Sequence, residues 1–439
     1  MSFDEKSFFD AFFDNGSFSP FKLEIKLENT SLDELLKNKE KSRGYPTLVH
    51  EYTHYLQLTT TTYGASLFYV FWNLLLYRNS NNALLKSPDL PPLSNGSVEQ
   101  KLSPQNTSNF LKSSDLGLNY VGEKICFDVS NRSDFEIKVE KINDVYRNKG
   151  KKINSLTYIS YKNEWIPISY RIIKENMAMV ATVLAGKFED RVNELLNRLG
   201  IEYKIIYFYL KDRFPCKDIM QLTYKICELL LLSIDPIESA TSLFSKIEND
   251  KKRISSMRED EIISEVVALI LPLGIHCTMS NAQKKIENVI EMHKKHENDV
   301  EFLQFLSVFY KIFIDGLEYR KKTISFYDKT KELRLLEDLS VVVKSPVLKF
   351  SDTGKKLYGN HDSEYYDKIA WVHGFMVVFF NAFSNKVGNC PFNENFSICT
   401  HLKGKECQSY LDILSNPSYE DCVMYNALKF MGICNDDMD

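Results

Sequence analysis

The chain has 439 residues, of which 44% are hydrophobic and 26% are charged, and its formal net charge is −4. This composition is too apolar for an intrinsically disordered chain. The near balance of 55 basic and 59 acidic residues argues against a polyanion-binding surface, so nucleic acid is not an expected partner. We therefore expect a globular protein of two or three folding units.

The targeting features predict a cytoplasmic protein. Residues 1–10 include acidic side chains and lack the apolar core of a signal peptide. Residues 62–77 form the most apolar stretch, but they fall short of the about 20 residues that span a bilayer, so we expect a buried helix and no membrane contact. The nine cysteines are odd in number and are not densely spaced, which favours a reducing compartment.

The first elements are a strand and two helices. Residues 21–28 alternate apolar and charged side chains, which predicts a half-buried strand, with a sheet edge as one interpretation. A short helix is expected over 31–37. Pro46 suits the first turn of a new helix that begins near Thr47. Residues 79–119 are rich in Pro, Ser and Asn, which predicts a long inserted segment.

The later part of the chain changes from strands to helices. Residues 135–141 alternate like a strand, and residues 156–168 read as a β-hairpin. Helices are then predicted over 169–186, 190–199, 203–212, 217–233, 236–248, 260–271, 280–296, 299–316 and 364–384. We expect three regions: a catalytic domain at 1–200, a helical domain at 201–385 and a cysteine-rich segment at 386–439.

The strongest chemical signal is the motif HEYTH, which runs from His50 to His54. Two histidines four residues apart on a helix project from one face and can bind a single zinc ion. Glu51 projects about 100° round the helix, toward the place of a zinc-bound water. Zinc lowers the pKa of such a water, and a nearby carboxylate can take its proton as the hydroxide attacks a carbonyl.

A catalytic zinc usually has three protein ligands and leaves one position for water. The extended motif with a third histidine needs Gly and His at positions where this chain has Gln57 and Thr60. A glutamate from a later helix is the remaining common solution. Glu175 is the best candidate, because a carboxylate on an otherwise apolar helix face is costly unless it is paired or bound to metal. The small Ala178 would let the two helices approach closely.

Three alternatives to this ligand set remain open in the sequence. Glu189 and Glu123 are weaker candidates for the third ligand. Glu175 can also be explained by a salt bridge with Lys174 or Arg171 at the rim of the helix.

Residues 47–57 (TLVHEYTHYLQ) resemble the active-site helix of zincin metallopeptidases, and residues 175–178 (ENMA) resemble the E-x-x-A segment of the gluzincin branch. The resemblance covers about residues 20–190. It implies a zinc peptidase in which His50, His54 and Glu175 bind the metal and Glu51 is the general base and acid. Thermolysin-like members carry an aspartate, four residues after the ligand glutamate, that orients a zinc histidine. Met179 occupies that position here, so the partners of the histidines are expected elsewhere.

A second metal site is one interpretation of the C-terminal cysteines. Cys390, Cys399, Cys407 and Cys422 can together supply the four thiolates of a structural zinc site. However, the C-x-x-C pair typical of such sites is missing, so buried free thiols are the other interpretation. If this segment binds nucleic acid or another partner separately from a peptidase domain, a basic groove should lie beside residues 390–422.

These observations predict an α+β, predominantly helical fold with a zincin-like metallopeptidase core and added helical and cysteine-rich C-terminal regions. The expected activity is hydrolysis of peptide bonds in a few protein or peptide substrates, in a regulatory or defence role. Candidate donors to the transition-state oxyanion are Tyr158, Tyr161, Tyr170 and His276. The alternative is a non-catalytic, zinc-stabilised protein-interaction module, in which Glu51 has no open coordination position beside it.

Overall fold

A computed structural model of the chain describes residues 16–19, 23–28, 30, 35, 44–68, 139–142, 147–148, 151–152, 156–161, 164–215, 217–296, 300–332, 347–350 and 356–357. These residues are mostly helical and include small sheets, which confirms the predominantly helical α+β class. The chain divides into two compact units, one with residues 1–67, 118–285 and 312–357, and the other with residues 68–117, 286–311 and 358–439. The candidate site described below belongs to the first unit.

The first sheet has the strand order β1-β2-β8-β9. Its strands are β1 (Gly16–Ser19), β2 (Glu24–Leu27), β8 (Val347–Phe350) and β9 (Lys356–Leu357). β2 pairs antiparallel with β1 on one side and parallel with β8 on the other. The interpretation of residues 21–28 as a sheet edge is therefore wrong, because a distant segment covers the second side of β2. Within the described part of this sheet, β1 is an edge strand.

The second sheet contains β3 (Val139–Ile142), β6 (Leu156–Tyr161) and β7 (Glu164–Pro167). All its pairs are antiparallel, and β6 and β7 form the predicted hairpin, with Tyr161 opposite Glu164. The described part of the predicted strand at 135–141 is confirmed by β3. Two short strands, β4 (Arg147–Asn148) and β5 (Lys151–Lys152), pair separately.

The helices follow the predicted order closely. They are α1 (Gly44–Thr59), α2 (Tyr170–Gly186), α3 (Val192–Arg198), α4 (Ile205–Arg213), α5 (Ile219–Leu232), α6 (Pro236–Asn249), α7 (Lys251–Ser256), α8 (Glu259–Ile270), α9 (Gly274–His296), α10 (Val300–Lys322) and α11 (Tyr327–Lys331). A further helical stretch covers residues 62–68, and 3₁₀ turns cover Glu189–Arg191 and Ile201–Tyr203. Most boundaries lie within two residues of the prediction, while α7, α11, β8 and β9 were not predicted.

Helix α1, which carries HEYTH, packs against α2 and is buried on almost every side. It begins at Gly44, three residues before the predicted start, so Pro46 falls in the first turn, where a missing N–H costs nothing. Two of its buried threonines satisfy their hydroxyls inside the helix. Thr53 donates to the carbonyl of Val49, and Thr59 donates to that of Tyr55. The helix therefore keeps its polar side chains without solvent.

A buried ion pair holds the C-terminal end of α1. Arg320 of α10 is fully buried and donates to the side chain and the carbonyl of Thr60. The same guanidinium donates to Glu228 of α5 at 2.7 Å, and Glu228 also accepts from the backbone N–H of Phe326. Because both charges are buried, removing either partner would leave the other uncompensated and would destabilise the fold by about 3–5 kcal/mol.

None of the described helices is by itself both long and apolar enough to cross a membrane, although α8 and α9, bent by 42° at their junction, together meet that criterion by length and composition. Several predictions lie outside the described residues. These are the insertion at 79–119, the helix at 364–384 and the segment at 386–439 with Cys390, Cys399, Cys407 and Cys422. They remain predictions, as do the three domain boundaries.

Candidate metal centre

Three side chains from two helices meet at one point. His50 and His54 lie one turn apart on α1, and Glu175 comes from the facing side of α2. The Nε2 atoms of the two histidines are 3.2 Å apart. Glu175 Oε2 lies 3.4 Å from Nε2 of His50 and 3.3 Å from Nε2 of His54. The three atoms form a nearly equilateral triangle, and these residues can hold a metal ion.

The size of the triangle fits a small metal ion with tetrahedral coordination. Bonds of about 2.0–2.1 Å to zinc place neighbouring ligand atoms about 3.3–3.4 Å apart in a regular tetrahedron. The three observed separations cluster around this value. Glu175 Oε2 is also buried and accepts no hydrogen bond of normal geometry from the described residues. A buried carboxylate oxygen without a partner is costly, and a cation at the centre of the triangle would remove that cost.

The hydrogen bond at the far side of His50 leaves its Nε2 free to bind metal. His50 Nδ1 lies 2.9 Å from Thr182 Oγ1. The hydroxyl of Thr182 donates its hydrogen to the carbonyl of Ala178 at 2.7 Å, so it must accept from Nδ1–H of His50. This bond assigns the proton to Nδ1 and leaves the Nε2 lone pair pointing into the triangle.

His54 is oriented in the same way by Gln57. The amide nitrogen of Gln57 donates to the carbonyl of Lys174 at 3.0 Å, so its oxygen accepts from Nδ1–H of His54 at 2.8 Å. Gln57 thus ties the second histidine to the residue that precedes Glu175. The expectation that the histidine partners come from elsewhere than position 179 agrees with these bonds, which use a threonine hydroxyl and a glutamine amide.

The charges of the cluster are strongly coupled. Burial by itself would raise the pKa of Glu175, but His54 and His50 outweigh burial and hold this pKa well below its usual value. Burial lowers the pKa of His54, but the negative charge of Glu175, whose Oε2 lies 3.3 Å from Nε2 of His54, raises this pKa further than burial lowers it. Without a metal, both shifts favour a protonated His54 beside an ionised Glu175.

Zinc affinity is therefore expected to fall as the pH is lowered. Because the pKa of His54 is raised, zinc has to displace a proton at a pH where a free imidazole has already lost it. Below that pKa, the apparent association constant should fall about tenfold for each pH unit. Competition with a chromophoric chelator at a series of pH values from about 6 to about 8.5 measures this dependence across the histidine range. An affinity that does not change with pH would contradict the assignment of His54 as a ligand.

A cavity of about 240 Å³ opens beside the three ligand atoms. Gly16, Ser17 and Phe18 of β1 form one wall. Its other lining residues come from α1, α2 and the turn after α3, and they are Thr47, His50, Glu51, His54, Glu175 and Tyr203. The carboxylate of Glu51 is therefore next to the candidate metal without belonging to the triangle. Among the described residues, no lysine or arginine forms an ion pair with Glu51.

Gly16 brings β1 into close contact with α1. A Cβ atom at Gly16 would lie 2.4 Å from Cγ2 of Thr47 and 3.3 Å from Oε1 of Glu51. We expect Gly16→Ala to destabilise the protein by about 1–3 kcal/mol, because the added methyl overpacks this contact. Thermal unfolding of Gly16→Ala, and of the double variant with Thr47→Ser, measures the effect. Thr47→Ser removes Cγ2 and should restore most of the loss; equal instability of both variants would contradict this packing.

Tyr203 is a lining residue that the sequence did not indicate. Its ring centroid is 6.2 Å from that of His50. Burial, with the charges of Glu175 and Glu202, raises the pKa of Tyr203 well above its ordinary value, so the phenol stays protonated and can donate a hydrogen bond. No periodic pattern points to this residue, because it lies in a short 3₁₀ turn.

The other candidate donors lie elsewhere. Tyr158 is buried in β6, Tyr170 stacks on Tyr63 with ring centroids 4.7 Å apart, and His276 is exposed on α9. None of these three lines the cavity. The side chain of Tyr161 is outside the described part of the structure.

The structure also shows where some of the alternatives to Glu175 as a ligand lie. Glu189 is exposed in a 3₁₀ turn and does not line the cavity, and Glu123 lies outside the described residues. Arg171 forms an ion pair with Glu202 at 3.3 Å. Glu175 is therefore directed at the two histidines.

In comparisons with protein-family models, with curated proteins and with solved structures, nothing matches this chain. The chemistry of the site therefore follows from its own residues. They provide two imidazoles and a carboxylate that can bind a metal ion, a second carboxylate beside them, a protonated phenol and a cavity.

Proposed function

We propose that this chain is a zinc-dependent peptidase of the zincin type, with His50, His54 and Glu175 as zinc ligands. The observation that carries the proposal is the triangle of ligand atoms, whose edges of 3.2, 3.4 and 3.3 Å match tetrahedral zinc, next to a cavity that contains Glu51. Two imidazoles and one carboxylate are a donor set used by catalytic zinc sites, which keep a fourth position for water or substrate.

Zinc, when bound, supplies Lewis acidity that acidifies a water molecule and polarises a substrate carbonyl. The carboxylate of Glu51 then acts as the general base that takes a proton from the attacking water. After the attack, Glu51 returns this proton to the nitrogen of the leaving amine. The two steps need a carboxylate beside the ligands and not among them, which is the position of Glu51 in the cavity wall.

Tyr203 is the proposed donor to the oxygen of the scissile carbonyl. This oxygen gains negative charge during the attack, and a hydrogen bond from a positioned donor lowers the barrier. The phenol of Tyr203 shares the cavity with Glu51 and stays protonated, because burial and the nearby carboxylates raise its pKa. This assignment replaces Tyr158, Tyr170 and His276, which do not line the cavity.

The substrate backbone is expected to lie along β1. Ser17 and Phe18 line the cavity, and β1 is an edge strand of the described sheet. An extended peptide can add to such an edge by main-chain hydrogen bonds, which would place one of its peptide bonds at the metal. The favoured substrate is therefore an extended segment of a protein or peptide.

The alternative is a zinc-stabilised interaction module without catalysis. It needs the three ligands but has no role for Glu51 and Tyr203 in the cavity wall. The proposal therefore depends on whether zinc-loaded protein cleaves peptide bonds.

A mixture of proteome-derived peptides, analysed for new termini by mass spectrometry, tests the function. We expect cleavage by zinc-loaded wild type, loss of cleavage with 1,10-phenanthroline and recovery when zinc is added back. His54→Ala, purified in the same way, is the matched control for contaminating peptidases and should be inactive. If zinc-loaded wild type produces no new termini, or if His54→Ala produces the same ones, the peptidase proposal is wrong.

A further inference from the structure

Asn176, the residue after Glu175, joins helix α2 to the segment that carries Tyr203. Its side chain is completely buried. The amide nitrogen donates to the carbonyl of Ile172 at 2.8 Å and to that of Glu202 at 2.7 Å. The amide oxygen accepts from the backbone N–H groups of Ile206 at 3.1 Å and Tyr207 at 3.3 Å. One side chain thus makes four hydrogen bonds, three of them to a segment about thirty residues away.

Three of these bonds reach backbone groups that lie before and after Tyr203 in the sequence. The carbonyl of Glu202 immediately precedes it, and the N–H groups of Ile206 and Tyr207 follow it in the first turn of α4. The first N–H groups of a helix have no partner inside the helix. The residue at the N-cap, Lys204, gives no capping bond, because a lysine side chain has no hydrogen-bond acceptor; its ammonium group donates to the carbonyl of Leu196. Asn176 therefore caps α4 from a different helix.

Adjacent residues of a helix project about 100° apart, so Glu175 and Asn176 point in different directions from the same turn of α2. Glu175 points to the two histidines, and Asn176 points to the segment that carries Tyr203. The ligand and the backbone on either side of Tyr203 are thus held by one turn of one helix. Any shift of the Asn176 bonds would move Tyr203 relative to the candidate metal.

We propose that Asn176 is a positioning residue that holds the Tyr203 phenol at the distance from the metal needed to donate to a bound oxyanion. The inference rests on the proposed function, in which Tyr203 makes that hydrogen bond. Asparagine suits the task because its amide has two donors and an acceptor that accepts twice. An aspartate keeps the shape and the acceptor but cannot donate to the carbonyls of Ile172 and Glu202.

Two variants test the inference. Asn176→Asp removes the donors and keeps the side-chain volume. Asn176→Thr is a milder change for the case that Asn176→Asp does not fold. A threonine here can still donate to the carbonyl of Ile172, as Thr182 does to that of Ala178, but it is too short to reach Glu202.

The measured quantity is the affinity of acetohydroxamate for protein loaded with cobalt(II). Binding is detected as a change in the visible absorption bands of the cobalt. Tyr203→Phe should weaken this binding about tenfold, because a hydrogen bond to a charged oxygen is lost. The Asn176 variants should weaken it by a similar factor and should cause no further loss in the Tyr203→Phe background. Losses that simply multiply would overturn the inference. The inference would also be overturned if the Asn176 variants bound cobalt more weakly but, once loaded, bound acetohydroxamate like wild type. Asn176 would then position Glu175 and not Tyr203.

Tyr209→Phe is the matched control. It also removes a partly buried hydrogen bond of α4, from Tyr209 to Glu248 of α6 at 2.7 Å. This variant should bind acetohydroxamate like wild type. An equal weakening would mean that any loosening of α4 disturbs the site, and the specific role of Asn176 would be lost.

A measurement that needs no metal separates this inference from the proposed function. In protein labelled with 3-fluorotyrosine, the ¹⁹F resonance of Tyr203 is the signal absent from Tyr203→Phe. It should shift in the Asn176 variants and stay in place in Tyr209→Phe. If wild type binds no metal, the proposed function fails while the shift still reports the positioning. An unshifted resonance would overturn the positioning itself.

Discussion

Replacing Glu51 by glutamine is expected to lower the rate of peptide hydrolysis by about 10²–10⁴-fold while zinc stays bound. Glutamine has nearly the same shape as glutamate but cannot take a proton from water. Because Glu51 lines the cavity without being one of the three ligand residues, the zinc content per chain should remain equal to that of wild type. The rate is measured on a peptide found to be cleaved by wild type, and zinc is measured by elemental analysis of the same sample.

Glu189→Gln is the matched control for this change. Glu189 is exposed and outside the cavity, so the same loss of one negative charge should leave hydrolysis unaltered. If Glu51→Gln hydrolyses the peptide at a rate close to that of wild type, Glu51 is not the general base. If Glu51→Gln loses its zinc, the Glu51 carboxylate is needed for metal binding, which would contradict its assignment as a residue outside the ligand set.

The second large effect is expected on metal affinity. Glu175→Gln removes a charged ligand and should weaken zinc binding by more than about 100-fold, beyond what the loss of an outer partner usually costs. Thr182→Val leaves the three ligand residues in place and removes the acceptor of the His50 Nδ1–H bond, so zinc affinity should fall about 10–100-fold. Competition with a chelator of known affinity measures both variants. The increase in Tm on adding zinc should be smaller for Thr182→Val than for wild type, and smallest for Glu175→Gln.

Thr241→Val is the matched control for Thr182→Val. Both threonines are buried and donate to the carbonyl four residues earlier, Thr241 to Ile237 and Thr182 to Ala178. Only Thr182 also accepts from a histidine, so Thr241→Val should bind zinc like wild type. Equal affinities of all three variants and wild type would show that zinc is bound somewhere else.

The centre of the site was predictable because helix geometry fixes it locally. The spacing of His50 and His54 places both imidazoles on one face of any helix. Glu175 stood out as a carboxylate in an apolar helix, and the structure brings it within 3.4 Å of both Nε2 atoms. Gln57 could also have been found, because it lies one turn after His54, within reach of the same face.

The rest of the cavity depends on contacts between distant segments, which a local pattern does not contain. β2 was predicted, but the parallel pairing that covers its second side comes from β8, more than 300 residues later. β1 has only four residues. Tyr203 reaches the cavity through a 3₁₀ turn whose position depends on Asn176, and nothing in the residues around Tyr203 indicates that bond.

The most direct test is a crystal structure of zinc-loaded protein with anomalous diffraction measured on both sides of the zinc absorption edge. We expect a zinc peak about 2.0–2.1 Å from Nε2 of His50, Nε2 of His54 and a carboxylate oxygen of Glu175, with Glu51 beyond bonding distance. The absence of a peak at this point, or a zinc ion there whose ligands do not include Glu175, would contradict the proposed centre and the chemistry derived from it.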